Sequence, residues 1–229
     1  MGLFYRGSDW IGALPSIVQA DIRSRMTVRS LDDGERLYER NAEATGLYQV
    51  LKGFIQLKGV GINGNEFLIT VYGPGHCLGE VPLLGDSDRA FDAVAQGEAQ
   101  VAVLAKADFE ELSLRHPQIA QQLMAKLCQV IGGLLAHIEE TALAPLRQRL
   151  ANLILSAADA YGTPEQSGIV ISMPFSQEDM GKMLGVTRHS VQRELKYWKT
   201  EGIAVKIKGR WVITDINALK TLGQVEQLS

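Results

Sequence analysis

Residues 175–204 read FSQEDMGKMLGVTRHSVQRELKYWKTEGIA, and the fold turns on how this stretch is parsed. Ser176 is a helix-capping residue, and Asp179 follows at the three-residue spacing of a capping box. Met180, Met183 and Leu184 give the first helix an apolar face. Gly185 allows a sharp turn, and Thr187 caps a second helix whose Val191, Leu195 and Trp198 point inward. The opposite face then collects Arg188, His189, Gln192, Arg193, Lys196 and Lys199. Two helices joined by a short turn containing Gly form a helix-turn-helix, whose second helix enters the DNA major groove with its N-terminal residues on base edges. Arg188, His189, Gln192 and Arg193 are therefore the expected base readers. Ser176, Thr187, Ser190, Lys196 and Lys199 are the expected phosphate contacts.

Directly after it, VKIKGRWVIT (205–214) predicts two short strands around Lys208-Gly209, a wing, with Lys206, Lys208 and Arg210 placed to meet phosphates. Residues 182–210 hold 8 basic and 2 acidic residues, although the whole chain carries a formal net charge of -3. A local positive patch on a mildly acidic protein suits a face that meets an anion while the rest repels it. The competing reading is a helical hairpin with an ordinary solvated basic face. It leaves unexplained why side chains able to pair with bases lead the second helix.

Upstream, LRQRLANLILSAADAYG predicts an amphipathic helix and YGTPEQSG a loop. A long helix precedes them, with Ala120, Leu127, Leu134 and Thr141 at heptad position a, and Met124, Ile131 and Ile138 at d. Such a stripe is the seam of a two-helix dimer, with Leu127, Ile131, Leu134 and Ile138 at its centre. The alternative is a helix lying on its own barrel. Gly132-Gly133 interrupts it at an intrinsic cost of about 1 kcal/mol each. A shorter helix, KADFEELSLRH, stops before Pro117. From about 31 to 104 short apolar runs alternate with Gly, Asn and Asp: ERLYE, GLYQVLKG, FIQLKGVG, NEFLITVYG, CLGEV, FDAVAQ and AQVAVLA. They predict seven or eight strands of an antiparallel barrel or jelly roll, with a hairpin turn at GINGNE (61–66). Residues 1–30 read as introductory and mostly helical, with Ile17, Ile22 and Met26 on one face. PGHCLGE (74–80) places Cys77 as a small core residue and His76 at a solvent edge, while Cys128 on the long helix is expected to be buried.

The fold class is thus α+β: an N-terminal antiparallel jelly-roll or barrel, a long dimerisation helix, and a C-terminal winged helix-turn-helix. The expected domains are 1–116, 117–145 and 146–229. Two cysteines exclude a disulfide framework or a four-thiolate metal site within one chain and suit a cytoplasmic thiol. No signal peptide is expected in MGLFYRGSDW, and no apolar run approaches the roughly 20 residues of a membrane span. No catalytic motif appears, and the four histidines (76, 116, 137, 189) show no metal spacing, so an enzyme is not expected.

The order of barrel, long helix and winged helix-turn-helix, with LGE…RA at 78–90 and SQEDMGKMLGVTRHSVQRELKYWKTEGI, resembles the CRP/FNR family of bacterial transcription regulators. The resemblance covers about residues 25–222. It implies a homodimer that binds a pseudo-palindromic site on double-stranded DNA and contacts RNA polymerase. Many members begin the recognition helix with Arg-Glu and carry an Arg five residues after the first. The matching positions are Arg188, His189 and Arg193, so His189 departs from the pattern. In this reading the barrel's state sets the spacing of two recognition helices, which must lie about 34 Å apart. The competing class is a nucleotide-binding regulatory module that uses its helix-turn-helix for protein contacts.

In cyclic-nucleotide members a Gly-Glu pair and a following Arg-Ser or Arg-Thr line the pocket. Gly79, Glu80 and Arg89 match; Ala90 stands in the hydroxyl position. Pro82 and Phe91 replace small residues, and Asp92 brings a negative charge. Leu134 and Leu135 fall where cyclic-AMP members offer a Thr-Ser pair to the base. Three readings follow: an altered cyclic nucleotide, another small effector or cyclic dinucleotide held by Arg89, or no ligand, with Glu80 and Arg89 kept as a structural ion pair. An iron–sulfur cluster is excluded because no Cys precedes Cys77, and haem is disfavoured because PGHCLGE aligns with the usual PGxxxGE turn.

Overall fold

The computed structural model describes residues 9–61 and 64–224, and the chain divides into two compact units that meet at Val130/Ile131. In the first, α1 (Ser16–Arg25) is followed by β1 (Thr27–Leu31), β2 (Arg36–Tyr38), β3 (Gly46–Val60), β4 (Glu66–Tyr72), β5 (Cys77–Leu78), α2 (Glu80–Leu84), β6 (Asp92–Ala105), α3 (Lys106–Arg115) and α4 (Gln118–Leu143), which continues into the second. Every strand pairing is antiparallel, in the order β1-β6-β3-β4, with β2 on β6 and β5 on β3.

There are fewer strands here than the apolar runs suggest, and two are much longer. GLYQVLKG and FIQLKGVG form one strand, β3, whose register shifts at Val50/Lys52 and Lys52/Phe54. FDAVAQ and AQVAVLA likewise belong to β6, apart from Phe91. Each long strand bends and serves two partners. β6 meets β2 through Ala93 and Val94 and β1 through residues 99–103. Gly and polar residues that read as turns are instead the bends of continuous strands. At the turn expected over 61–66, Ile62 and Asn63 lie outside the described residues; around them Gly61 N–H donates to Asn65 O at 2.9 Å.

Period-two alternation divides the core. Tyr48, Val50, Leu78 and Val101 face one cluster inside the sheet, and Leu47, Cys77 and Leu104 face a second shared with Trp10, Val18, Ile22, Phe109, Leu112, Ile119 and Leu123. The face of α1 is not the one expected. Val18 and Ile22, one turn apart, are buried, whereas Ile17 is 76% exposed. Residues 27–30 are strand rather than helix, drawn into the sheet by β6.

The first half of α4 buries Ile119, Leu123 and Lys126 on one face. Cys128 lies about 200° round the helix from Lys126 and is exposed, contrary to expectation. Met124, Ile131, Leu134, Leu135 and Ile138 are all exposed, while Leu127 is half-buried. The helix therefore has both an own-barrel face and an uncovered apolar stripe. By length and composition it is the one helix among the described residues that meets the criterion for crossing a membrane. The sequence reading counted unbroken apolar runs and so passed over it.

In the second unit α5 (Leu146–Tyr161), β7 (Gly162–Glu165), β8 (Gly168–Ile171), α6 (Gln177–Leu184), α7 (Arg188–Thr200), β9 (Ala204–Ile207), β10 (Arg210–Ile213) and α8 (Ile216–Leu222) surround a sheet of order β7-β8-β10-β9. The expected loop YGTPEQSG is instead part of a hairpin. Pairing of β8 with β10 draws it into the sheet, and Pro164 sits on the edge strand, where a missing N–H costs no ladder bond.

Candidate nucleic-acid interface and effector site

Both interface helices start on caps of their own. Ser176 Oγ accepts from Asp179 N–H at 3.0 Å, while the Asp179 carboxylate accepts from Ser176 N–H at 2.9 Å and from its hydroxyl at 2.6 Å. Thr187 Oγ1 accepts from Ser190 N–H at 3.2 Å. Gly185 closes α6 in the left-handed region at φ 66°, and Val186 N–H donates to Gly181 O at 3.0 Å. Gly181 was not singled out from the sequence. A Cβ there would stand 2.8 Å from Val186 O, so the turn can fold back this closely only over glycine.

Val191, Leu195 and Trp198 seat α7 at 0%, 4% and 0% exposure. Burial of that kind stabilises by about 1.5–3 kcal/mol for each large apolar side chain. Arg188, His189, Gln192, Arg193, Lys196 and Lys199 all remain exposed on the other side, as expected. Glu194, the acid on α7, is neutralised by Arg147, whose Nε donates to it at 2.7 Å while its guanidinium lies 4.5 Å from the Tyr197 ring. The outer face of α7 is left cationic. Ser190 is half-buried and Thr187 exposed; the Ser176 hydroxyl proton is already given to Asp179.

Lys208 (φ 47°) and Gly209 (φ 83°) form a two-residue turn between β9 and β10, both in the left-handed conformation that matches strand twist. Lys206, Lys208 and Arg210 are exposed around it. The wing is tied to the start of the helix-turn-helix, because buried Trp211 Nε1–H donates to Phe175 O at 2.7 Å. One indole thus fixes the β9–β10 hairpin relative to the start of α6.

In the barrel, Gly79, Glu80 and Arg89 come together, but not as an ion pair between Glu80 and Arg89. Glu80, 3% exposed, meets Lys126 Nζ of α4 at 2.5 Å, and the same ammonium donates to Cys77 O at 2.7 Å. Arg89, 2% exposed, donates from Nη1 to Gly79 O at 2.8 Å and from Nη2 to Gly46 O at 2.5 Å. Its guanidinium packs 4.3 Å from the Tyr38 centroid and 5.5 Å from that of Tyr48. Gly79 adopts φ 92°, and a Cβ on it would stand 2.7 Å from Arg89 Nη1. Ala90 is exposed, and Phe91 meets Phe67 edge-on at 6.2 Å. Asp92 turns its carboxylate to Arg40 N–H at 2.7 Å. Leu134 lies in the other unit, 44% exposed.

Sequence reasoning missed Lys126, Tyr38 and Tyr48. The signal for Lys126 was present: with Ile119 and Leu123 it completes an i, i+4, i+7 face, the period of a buried stripe.

Cys77 is fully buried, and burial raises its thiol well above the usual range, as suits packing. His76 is half-buried rather than at a solvent edge. Burial, helped by the Lys126 charge, pushes its imidazole down from 6.5 to about 4. Between those values the unfolded chain binds a proton that the folded chain does not. The neutral ring's contribution is therefore complete above pH 6.5 and is lost as pH falls toward about 4. Urea midpoints at pH 7.5 and 4.5 should show an acid loss on the order of 1–3 kcal/mol that His76→Asn lacks; equal losses in both proteins would contradict this.

A cyclic nucleotide-binding domain is matched by residues 28–116, and a Crp-like helix-turn-helix domain by residues 148–222. The chain belongs to the CRP/FNR family. It is accordingly a DNA-binding transcription regulator. This CRP/FNR regulator is 20% identical over 208 residues to a CRP-like cAMP-activated global transcriptional regulator of Mycobacterium tuberculosis, covering 91% of this chain and 92% of that one. Its fold is shared with FixK2 of Bradyrhizobium japonicum, at a TM-score of 0.78 and 21% identity over 87% of this chain and 98% of that one. It is also shared with the c-di-GMP responsive global regulator CLP of Xanthomonas campestris, at a TM-score of 0.73 and 14% identity over 88% and 100%.

Proposed function

We propose that this protein acts in the cytoplasm as a homodimeric regulator that reads a pseudo-palindromic operator and meets RNA polymerase there. The observation that carries the reading is the outer face of α7. Its leading side chains are exposed and cationic, its one acid is cancelled by Arg147, and Trp211 holds the wing beside it. In this reading Arg188 and Arg193 form bidentate hydrogen bonds to guanine O6 and N7, while Gln192 suits adenine. Lys196, Lys199, Lys206, Lys208 and Arg210 contact phosphates and set register.

His189 gives the reading a specific test. A Glu in its place accepts a hydrogen bond from cytosine N4, whereas a protonated imidazole only donates and a neutral one does either. Binding sites selected from random duplexes should therefore differ from the common family half-site at the base pair facing His189. Recovery of the unmodified common half-site would contradict that assignment. Failure to select any site, with no salt-sensitive shift of duplex DNA, would remove the DNA-reading function itself.

A further inference from the structure

We infer that the barrel of this protein fills its own nucleotide position and binds no cyclic mononucleotide, so that DNA binding is independent of one. The inference rests on the regulator reading above and specifies what governs it. A cyclic mononucleotide in such a site needs two things from the protein. Its phosphate needs an Arg with free donors facing the ligand, and its ribose hydroxyl needs a free carboxylate acceptor. Both groups are present in this chain, but the terminal nitrogens of the one and the charge of the other are committed within the protein.

Arg89 is held at both ends of its fork. Its two terminal nitrogens donate to the carbonyls of Gly79 and Gly46, and its flat face lies on Tyr38 with Tyr48 close by. At 2% exposure it is enclosed by its own barrel. Swinging it toward a phosphate would leave two carbonyls without their donor, and buried polar groups that lose their partners are costly. Glu80 is neutralised by Lys126 from α4 at 2.5 Å, with both side chains nearly inaccessible. A ribose hydroxyl would meet a carboxylate whose charge Lys126 already balances and whose second oxygen, Oε2, is buried out of reach of solvent. Removing one partner of a buried pair strands the other's charge.

The remaining polar need is small. Glu80 Oε2 and Arg89 Nε are buried with no protein partner, one acceptor and one donor. A need of single atoms is the size of a water, not of a nucleotide. Ala90 offers no hydroxyl to a phosphate and is exposed. Lys126 ties the Gly-Glu corner of the barrel to the long helix that follows.

The test uses the full-length protein. Titration calorimetry with cyclic AMP and cyclic GMP to about 1 mM should show no saturable heat, and neither should change affinity for the selected operator by more than about twofold. Saturable binding below about 100 µM by either nucleotide, or a larger shift in operator affinity, would overturn the inference. A second arm examines the pair directly. Lys126→Met, which strands the Glu80 charge, should lower the melting temperature by roughly 10 °C, and adding Glu80→Gln should recover much of it. An unchanged melting temperature for Lys126→Met would equally overturn it. If no operator is bound at all, the regulator reading fails instead, and the calorimetric result still stands on its own.

Discussion

Arg193→Ala should sharply weaken sequence preference while leaving non-specific DNA binding nearly intact. Arg193 stands on the exposed side of α7 two residues from buried Val191 and Leu195, which fix the orientation of the helix. A bidentate guanine contact is worth about 1–3 kcal/mol of discrimination. A dimer makes it twice, so operator affinity should fall roughly 30-fold to 10⁴-fold, with scrambled duplex little changed. Lys208→Ala is the control. Lys208 sits at the tip of a turn that contacts no base edge in this reading, so its loss should weaken all duplexes alike and lower the salt slope by about one per protomer. Competition anisotropy at several salt concentrations separates the two. Undiminished preference for the operator in Arg193→Ala would remove Arg193 from the base readers.

The second large effect belongs to the stripe on α4. Ile131, Leu134, Leu135 and Ile138 are 56%, 44%, 62% and 64% exposed. Four large apolar side chains on successive turns form a contiguous patch of the kind that marks an interaction surface. With a partner helix in register they would form a seam whose a and d positions interdigitate. The paired variant Leu134→Glu with Ile138→Glu should sediment as a monomer where the parent sediments as a dimer. Because both side chains are exposed in the single chain, its circular dichroism should be preserved. A monomer reads one half-site, so operator affinity should fall by about a thousandfold or more. A variant that still sediments as a dimer would place the dimer contact elsewhere.

Legibility in the sequence followed the range of the interactions. The helix-turn-helix was read almost residue by residue. Its caps at Ser176 and Thr187 and its buried Val191, Leu195 and Trp198 depend on neighbours within one or two turns. The barrel was read as a class but not by strand. A bent strand carries Gly53 and Gly97 in its interior, and locally that composition cannot be told from a turn. The hairpin at Pro164 was missed because β8 is a strand only by virtue of β10, some forty residues on. At the candidate effector site Gly79, Glu80 and Arg89 do lie together, but with partners other than those expected. Glu80 and Arg89 have opposite charges and lie close in sequence, which suggested each other. Only the packed position of α4 brings Lys126 to Glu80, and only the fold of β3 brings Gly46 O to Arg89.

The two long strands also set the pace at which the chain acquires its structure. Gly46 pairs with Ala105 and Lys58 with Asp92, so the first unit needs closures of tens of residues before its central ladder exists. The second unit has short hairpins as well, but its central ladder also waits on a distant pairing, Ile171 with Trp211. Closing distant pairings is the slow part of folding. Helices α6 and α7, capped and turned by near neighbours, are the part of either unit least dependent on a distant closure.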